Sequence, residues 1–152
     1  MRIYLDTNIF IAAFERKDEL SDRLGSMLAS TTVASFVSSE LTLSELLVLP
    51  LRQDNQHLVS AYNAVFNPGN KWLEIAPVDR RTLTEAAQLR SSRQGLKLPD
   101  AIHLATASER NCTDFLTEDS DLLAAGKSAY VRLQFLRPDE STLTTLIEGL
   151  RP

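Results

Sequence analysis

The chain has 152 residues, of which 43% are hydrophobic, a length that can bury one substantial core but scarcely two. Its formal net charge of -4 excludes the strongly basic character of a protein that coats nucleic acid without specificity, so any phosphate-bearing substrate must be held locally. Cys112 is the single cysteine, which excludes an intrachain disulfide and a thiolate metal site and is typical of a reduced compartment.

The N-terminal segment indicates no signal peptide, because the chain reaches Asp6 too early to form its apolar core. No later stretch approaches the roughly 20 apolar residues of a membrane helix. We therefore expect a single domain over residues 1–152, located in the cytoplasm and making no contact with a membrane.

Short apolar runs rich in β-branched or aromatic residues alternate with segments of helical period. This alternation is typical of βαβ units and a mostly parallel sheet. In chain order, strands are predicted over Arg2–Leu5, Thr32–Val37, Trp72–Ile75 and Asp114–Leu116, with a fifth over Val131–Phe135. Helices are predicted over Leu20–Ala29 and Arg80–Leu89 and through the small, apolar segment Ala101–Ala107. We see no repeat or linker that would divide the chain.

Two breaks separate these elements. Asn67–Asn70 contains Pro and Gly and predicts a tight turn, and Gln94–Gly95 interrupts the chain before Pro99. Because proline is favoured in the first helical turn, Pro99 predicts the start of a new helix.

Four carboxylates stand where a strand or turn gives way to a helix: Asp6, Glu45, Asp100 and Asp119. In a parallel sheet the carboxyl ends of the strands and the amino ends of the following helices converge on one crevice. Each carboxylate taken alone has a simpler interpretation as a helix start, and Thr42 with Glu45 matches a capping box.

The four carboxylates together are harder to explain by capping. Crowded into one crevice they would repel one another unless they were protonated or neutralised by a cation. Oxygen-rich sites suit hard divalent ions, Mg²⁺ first and Mn²⁺ with the same ligands. Such an ion polarises a phosphate and lowers the pKa of water, so the residues predict a site for phosphodiester hydrolysis without a covalent enzyme intermediate.

Three motifs contain most of these acids: Met1–Asn8, Lys97–Ala107 and Phe115–Leu122. In this order they resemble the PIN domain family, and especially the VapC-like toxin ribonucleases of type II toxin–antitoxin systems. The segment Pro99–Ala107 is the most specific of the three, and the likeness covers almost the whole chain. The resemblance implies a PIN-like three-layer α/β/α sandwich with a mostly parallel central sheet of four to five strands.

The resemblance further implies a Mg²⁺- or Mn²⁺-dependent endoribonuclease. Its catalytic set would be Asp6, Glu45, Asp100 and Asp119, of which Asp6, Asp100 and Asp119 would bind the metal directly or through water. Its supporting residues would be Thr7, Asn8, Thr117 and Asp121.

Two members of this set have rivals in the sequence. Glu40 also lies at a strand-to-helix entry, but Glu45 better matches the family's second acidic position, so we expect Glu40 to be solvated. Asp121 follows Asp119 by two residues and is either an auxiliary ligand or a stabiliser of the next helix start. Glu118, between Thr117 and Asp119, is expected to point away.

Several basic residues flank the approach to Asp100: Arg80, Arg81, Arg90, Arg93 and Lys97. We expect Arg93 and Lys97 to contact substrate phosphates, against the alternative that each is an exposed helix charge. His103, one helical turn after Asp100, is interpreted as a packed histidine rather than a general base, because metal-activated water already supplies the nucleophile.

Apolar residues are dense near the first two acidic motifs, at Ile9–Ile11, Phe14 and Leu46–Leu49, which suggests surface covered by a partner. The resemblance implies a homodimer, an RNA substrate and a cognate antitoxin whose C-terminal segment places a basic residue among the carboxylates. Two alternatives are a catalytically silent PIN-like scaffold that binds RNA or protein and a Mg²⁺-dependent protein phosphorylated on Asp6. The first would have lost an acidic position, and the second needs a further aspartate beside Asp6 or a lysine directly after a late strand.

Overall fold

The computed structural model describes residues 1–29 and 36–150. The elements of these residues are, in chain order, β1 (Ile3–Leu5), α1 (Thr7–Glu15), α2 (Glu19–Ala29), β2 (Phe36–Ser39), α3 (Glu40–Arg52), α4 (Gln56–Val65), β3 (Leu73–Ala76), α5 (Arg80–Ser92), α6 (Leu98–Glu109), β4 (Asp114–Leu116), α7 (Ser120–Ala129), β5 (Gln134–Leu136) and α8 (Glu140–Leu150). The predicted second strand overlaps β2 only at residues 36 and 37, since its residues 32–35 lie outside the described ranges.

The five strands form one sheet in the order β3-β2-β1-β4-β5, and each neighbouring pair is parallel. The chain builds outward from β1 to β2 and β3, then returns to the other side of β1 for β4 and β5. The strand order therefore reverses between β1 and β4, the position where parallel sheets open a crevice at their carboxyl edge. Asp6, directly after β1, lies beside this crevice, and its backbone N–H donates to the Leu116 carbonyl at 3.1 Å.

Side chains of the central strand alternate between two hydrophobic cores, as the period of two in a strand requires. Ile3 and Leu5 pack with residues of α1, α2 and α8, whereas Tyr4 packs with residues of α5, α6 and α7. Helices therefore cover both faces of the sheet, and the predicted α/β/α architecture with a parallel sheet is confirmed. None of the helices in residues 1–29 and 36–150 has both the length and the hydropathy to cross a bilayer.

Most of the predicted boundaries agree with the structure to within a few residues. Pro99 lies in the first turn of α6, and Gly95 has a φ of +89°, a backbone conformation that favours glycine just before that helix. The fifth strand is shifted, because Val131 is 99% exposed and lies in a turn ahead of β5. Its β-branched side chain suggested a strand, but no neighbouring strand pairs with it among the described residues.

The capping box predicted at Thr42 and Glu45 is wrong. Helix α3 already begins at Glu40 with Ser39 as its N-cap, so Thr42 and Glu45 lie within the helix. Thr42 is buried and accepts a hydrogen bond from Ser38 Oγ at 3.0 Å, which explains its hydroxyl without a cap.

Candidate active site

Asp6 is the most deeply buried carboxylate at the crevice, with 5% of its surface exposed. It caps α1 through Oδ1, which accepts from the Thr7 N–H at 2.7 Å, while Oδ2 accepts from Asn8 Nδ2 at 2.9 Å and Thr117 Oγ1 at 2.5 Å. Burial raises the pKa of Asp6, although the charge of His103 and these hydrogen bonds favour its ionised form. Both oxygens of Asp6 are therefore fixed in position.

Thr117 follows β4 and connects Asp6 to the last acidic motif. Its hydroxyl is fully buried, donates to Asp6, and accepts from Asn8 Nδ2 and from the Asp119 backbone N–H, both at 3.0 Å. Asn8 also accepts from the Glu118 N–H at 3.1 Å. Because a hydroxyl has one proton and two lone pairs, Thr117 is saturated. Thr117 and Asn8 thus connect the loops after β1 and β4.

Asp119 caps α7 with one oxygen. Its Oδ1 accepts from the backbone N–H groups of Asp121 and Leu122 at 2.8 and 3.0 Å. Oδ2 receives no hydrogen bond from the described residues, so capping leaves one carboxylate oxygen available to a ligand. Asp121 is exposed and its N–H is a partner of Asp119, while Glu118 points away and pairs with Arg16 at 2.8 Å.

Asp100 lies in the first turn of α6, and within the described chain its carboxylate accepts no hydrogen bond. Burial, followed by the negative charges of Asp119 and Asp6, raises the pKa of Asp100. Asp100, Asp119 and Asp121 line one pocket of about 450 Å³. Asp6 does not line this pocket, but its negative charge acts on Asp100.

The two basic residues expected to bind substrate, Arg93 and Lys97, line the same pocket. Lys97 is the N-cap of α6, three residues before Asp100. The guanidinium of Arg93 donates to the Ser128 carbonyl at 2.9 Å and to Ser92 Oγ at 3.0 Å, which anchors it across from α5 to the end of α7. Arg80 and Arg81 line a different pocket beside Asp79.

Glu45 reaches the site from the interior of α3, with 31% of its side chain exposed. Its Oε2 accepts a short hydrogen bond from Thr7 Oγ1 and a second one from His103 Nε2 at 2.9 Å. Burial alone would raise the pKa of Glu45, but the hydrogen bond and charge of His103 and the bond from Thr7 lower it below its ordinary value. Glu40 is exposed, as expected.

The prediction that His103 is a packed histidine is confirmed, but the sequence interpretation missed its two partners. It is packed, with 2% exposed, but both of its ring nitrogens are engaged: Nε2 by Glu45 and Nδ1 by the Tyr4 hydroxyl at 2.8 Å. Nε2 also lies 3.9 Å from Asp6 Oδ1. Burial would lower the pKa of His103, but the hydrogen bond to Glu45 and the surrounding carboxylates raise it. The available signal was a histidine in an otherwise small and apolar helix, since a buried imidazole needs partners.

The donor set has the chemistry of a site for a hard divalent cation. Within residues 1–29 and 36–150 no group of three His, Cys, Asp or Glu side chains lies close enough together to bind an ion. Several carboxylate oxygens nevertheless accept no hydrogen bond from those residues: both of Asp100, Oδ2 of Asp119 and Oε1 of Glu45. Burial and then the charges of Asp119 and Asp6 raise the pKa of Asp100, and a cation would relieve the repulsion between these charges.

The model of the PIN domain family matches residues 3–128 of the chain. No curated protein sequence matches this chain. Among solved structures, VapC20 of Mycobacterium tuberculosis, described as a sarcin–ricin loop cleaving toxin, is 19% identical with a TM-score of 0.68, covering 82% of this chain and 95% of VapC20.

Two further structures are complexes. A chain of a toxin–antitoxin complex from Klebsiella pneumoniae is 21% identical, with a TM-score of 0.65, and the match covers 92% of this chain and 99% of that one. A chain of VapBC2 from Rickettsia felis, solved on a DNA fragment from its promoter, is 17% identical, with a TM-score of 0.64 and coverage of 91% and 100%. At these identities the likeness concerns the fold.

Proposed function

Because the chain belongs to the PIN domain family, we propose that it is a metal-dependent endoribonuclease and the toxin of a toxin–antitoxin pair. One observation supports this proposal: Asp6 lies beside the crevice where the strand order reverses, Asp100 and Asp119 line one pocket, and His103 Nε2 lies 2.9 Å from Glu45 Oε2 and 3.9 Å from Asp6 Oδ1. Electrostatic interactions connect Glu45 and Asp100 to Asp6, and Asp119 to Asp100, while the Thr117 hydroxyl donates to Asp6 and accepts from the backbone N–H of Asp119.

The acidic set is proposed to hold Mg²⁺ or Mn²⁺, with Asp6, Asp100 and Asp119 as ligands and Glu45 adding negative charge. The ion would supply a Lewis acid that polarises the scissile phosphate. Thr117 and Asn8 hold Asp6 in place for this role, and the cap of α7 orients Asp119.

The chain's own residues account for substrate approach and for the placement of water. An RNA phosphate would be repelled by the acidic crevice, and Arg93 and Lys97 on the pocket wall offset that repulsion. Glu45 is held ionised by His103 and Thr7, so its free Oε1 can accept a hydrogen bond from the attacking water and orient it for in-line displacement.

A homodimer and an antitoxin are the proposed partners. Helices α1 and α3 expose Ile11, Phe14, Val48 and Leu49 by 37–50%, a larger apolar surface than solvent favours. Solved complexes with this fold include toxin–antitoxin assemblies. Light scattering of the purified chain tests the dimer: we expect twice the chain mass for wild type and a monomer for Leu49→Asp. A monomeric wild type would refute the dimer.

The nuclease proposal is tested by incubating purified protein with structured and single-stranded RNAs in Mg²⁺, Mn²⁺ or EDTA. Asp100→Asn is the matched control, because the Asp100 carboxylate accepts no hydrogen bond from the described residues and its loss should leave the fold intact. We expect metal-dependent cleavage by wild type and none by the variant. Equal cleavage by both proteins would refute the site, and binding without cleavage would indicate a silent scaffold.

A further inference from the structure

A buried polar chain crosses three elements of the fold. Tyr4 on β1 is fully buried, and its hydroxyl meets His103 Nδ1 at 2.8 Å; His103 on α6 meets Glu45 Oε2 on α3 through Nε2 at 2.9 Å. The Tyr4 ring stacks on Phe115 of β4, with ring centroids 4.9 Å apart. This series of hydrogen-bonded side chains therefore begins with Tyr4 in the centre of the sheet and ends with the Glu45 carboxylate at the crevice.

Apolar side chains would fill these core positions at lower cost. A polar group buried without its hydrogen bonds loses free energy, and a fully bonded one adds little over a packed hydrocarbon. Tyr4 and His103 satisfy each other, and the Tyr4 hydroxyl also lies 3.4 Å from Ser39 Oγ. The second ring nitrogen of His103 is directed outward at Glu45, and that contact explains an imidazole at position 103.

The bond to Glu45 does not depend on the protonation of His103. A Nε2–H donor is present both in the imidazolium and in the neutral tautomer that accepts from Tyr4 at Nδ1. Together with Thr7 Oγ1, it places two donors on Oε2 and leaves Oε1 without a bond from the described residues. A long glutamate side chain would otherwise sample several rotamers in a crevice that repels it.

We propose that Tyr4 and His103 are positioning residues that hold Glu45 in its working orientation, with Oε2 anchored and Oε1 presented to water. This inference rests on the proposed nuclease function. Neither residue is proposed to touch substrate. Residues that orient the ligands of a metal site are worth about 10- to 100-fold in metal affinity or activity, and we expect an effect at the lower end of this range for a carboxylate that orients water.

The test is a double-mutant cycle on kcat for RNA cleavage with Mg²⁺. Tyr4→Phe removes the hydroxyl at the far end of the chain from Glu45, and we expect kcat to fall about tenfold with KM unchanged. In a Glu45→Gln background the same change should have no further effect, since the carboxylate that it positions is gone. His103→Gln retains a donor towards Glu45 and should keep more activity than His103→Leu.

Tyr62→Phe is the matched control. Tyr62 is also fully buried and also donates to a carboxylate, Glu15 Oε1 at 2.5 Å, but it lies outside the acidic site. A comparable loss of stability without loss of kcat is expected. If Tyr62→Phe lowers kcat as much as Tyr4→Phe does, or if the effects of Tyr4→Phe and Glu45→Gln are independent, positioning is refuted and the polar chain is only structural.

Two outcomes separate this inference from the proposed function. An active wild type with an unimpaired Tyr4→Phe variant overturns the inference alone. A wild type that cuts no RNA refutes the nuclease and with it the catalytic role of Glu45. In that case the same double-mutant cycle, measured as the free energy of unfolding in urea and EDTA, still tests whether Tyr4 and Glu45 are coupled. Non-additive changes in this free energy support coupling through His103, and additive changes overturn it.

Discussion

Thr117→Val provides the sharpest test of how the site is held together. Valine has nearly the shape of threonine, so the change removes the hydroxyl while leaving the packing volume unchanged. Three hydrogen bonds disappear: the one donated to Asp6 Oδ2 and those accepted from Asn8 Nδ2 and the Asp119 N–H. Asn8 keeps its hydrogen bond to Asp6 in this variant. The Asp119 N–H loses the Thr117 hydroxyl that accepts its hydrogen bond.

The expected cost follows from these bonds. A neutral hydrogen bond contributes about 1 kcal/mol and a charge-assisted one about 1.5–3 kcal/mol, so the free energy of unfolding should fall by roughly 3–5 kcal/mol. For a chain of this length that corresponds to a drop in Tm of roughly 10 °C. Since domains are stable by about 5–15 kcal/mol, we expect the variant to remain folded at 25 °C.

Urea unfolding followed by far-UV circular dichroism measures this cost directly, with Thr117→Ser as the control that keeps the hydroxyl. We expect Thr117→Ser to lose much less stability and to retain RNA cleavage, whereas Thr117→Val loses both. A loss below about 1 kcal/mol for Thr117→Val would show that the hydroxyl does not connect the two acidic motifs.

Three other tests, which use four substitutions, have defined outcomes. Asp100→Asn should stabilise the metal-free protein at neutral pH, because burial and two neighbouring carboxylates raise the pKa of Asp100. Because the pKa of Asp100 is raised in the folded protein, wild-type stability falls as the pH rises from the unfolded pKa of about 4 through the folded pKa. Thermal unfolding in EDTA should therefore show that the stability gained by Asp100→Asn vanishes at about pH 3. A stability gain that persists at that pH contradicts the raised pKa. Arg93→Ala should weaken RNA binding in fluorescence anisotropy, more at low salt than at high salt, and unchanged affinity at low salt would make Arg93 a structural residue. Gly126→Ala should lower the free energy of unfolding in urea by about 1–3 kcal/mol, since the added Cβ would lie 2.1 Å from Phe135 Cε1. Gly25→Ala, whose Cβ would have nothing within 4 Å, should raise it by about 0.5–1 kcal/mol. Equal effects of the two substitutions would contradict the packing.

Local signals in the sequence predicted the positions where chain direction and chemistry coincide. The apolar run before Asp6, the proline before Asp100 and the short strand before Asp119 each identify a junction between elements. These junctions depend on residues adjacent in sequence, so they could be located without the fold. Family membership and the parallel α/β architecture are confirmed.

Signals that depend on partners distant in sequence were less informative. The spacing of Thr42 and Glu45 imitates a capping box, but α3 begins at Glu40, directly after β2 ends at Ser39, so both residues lie within the helix. His103 looked like an ordinary core residue, because its two partners come from β1 and α3.

The sequence by itself determined which residue types are available and which end of an element each one occupies. It thus determined that acids follow β1 and β4 and open α6. Only the tertiary structure decided how their oxygens are used: Thr117 binds Asp6 across 111 positions of sequence, and His103 binds Glu45 across 58. The physical reason is that a hydrogen bond requires a donor and an acceptor within about 3 Å, and for residues so far apart only the packed sheet and its helices provide that distance.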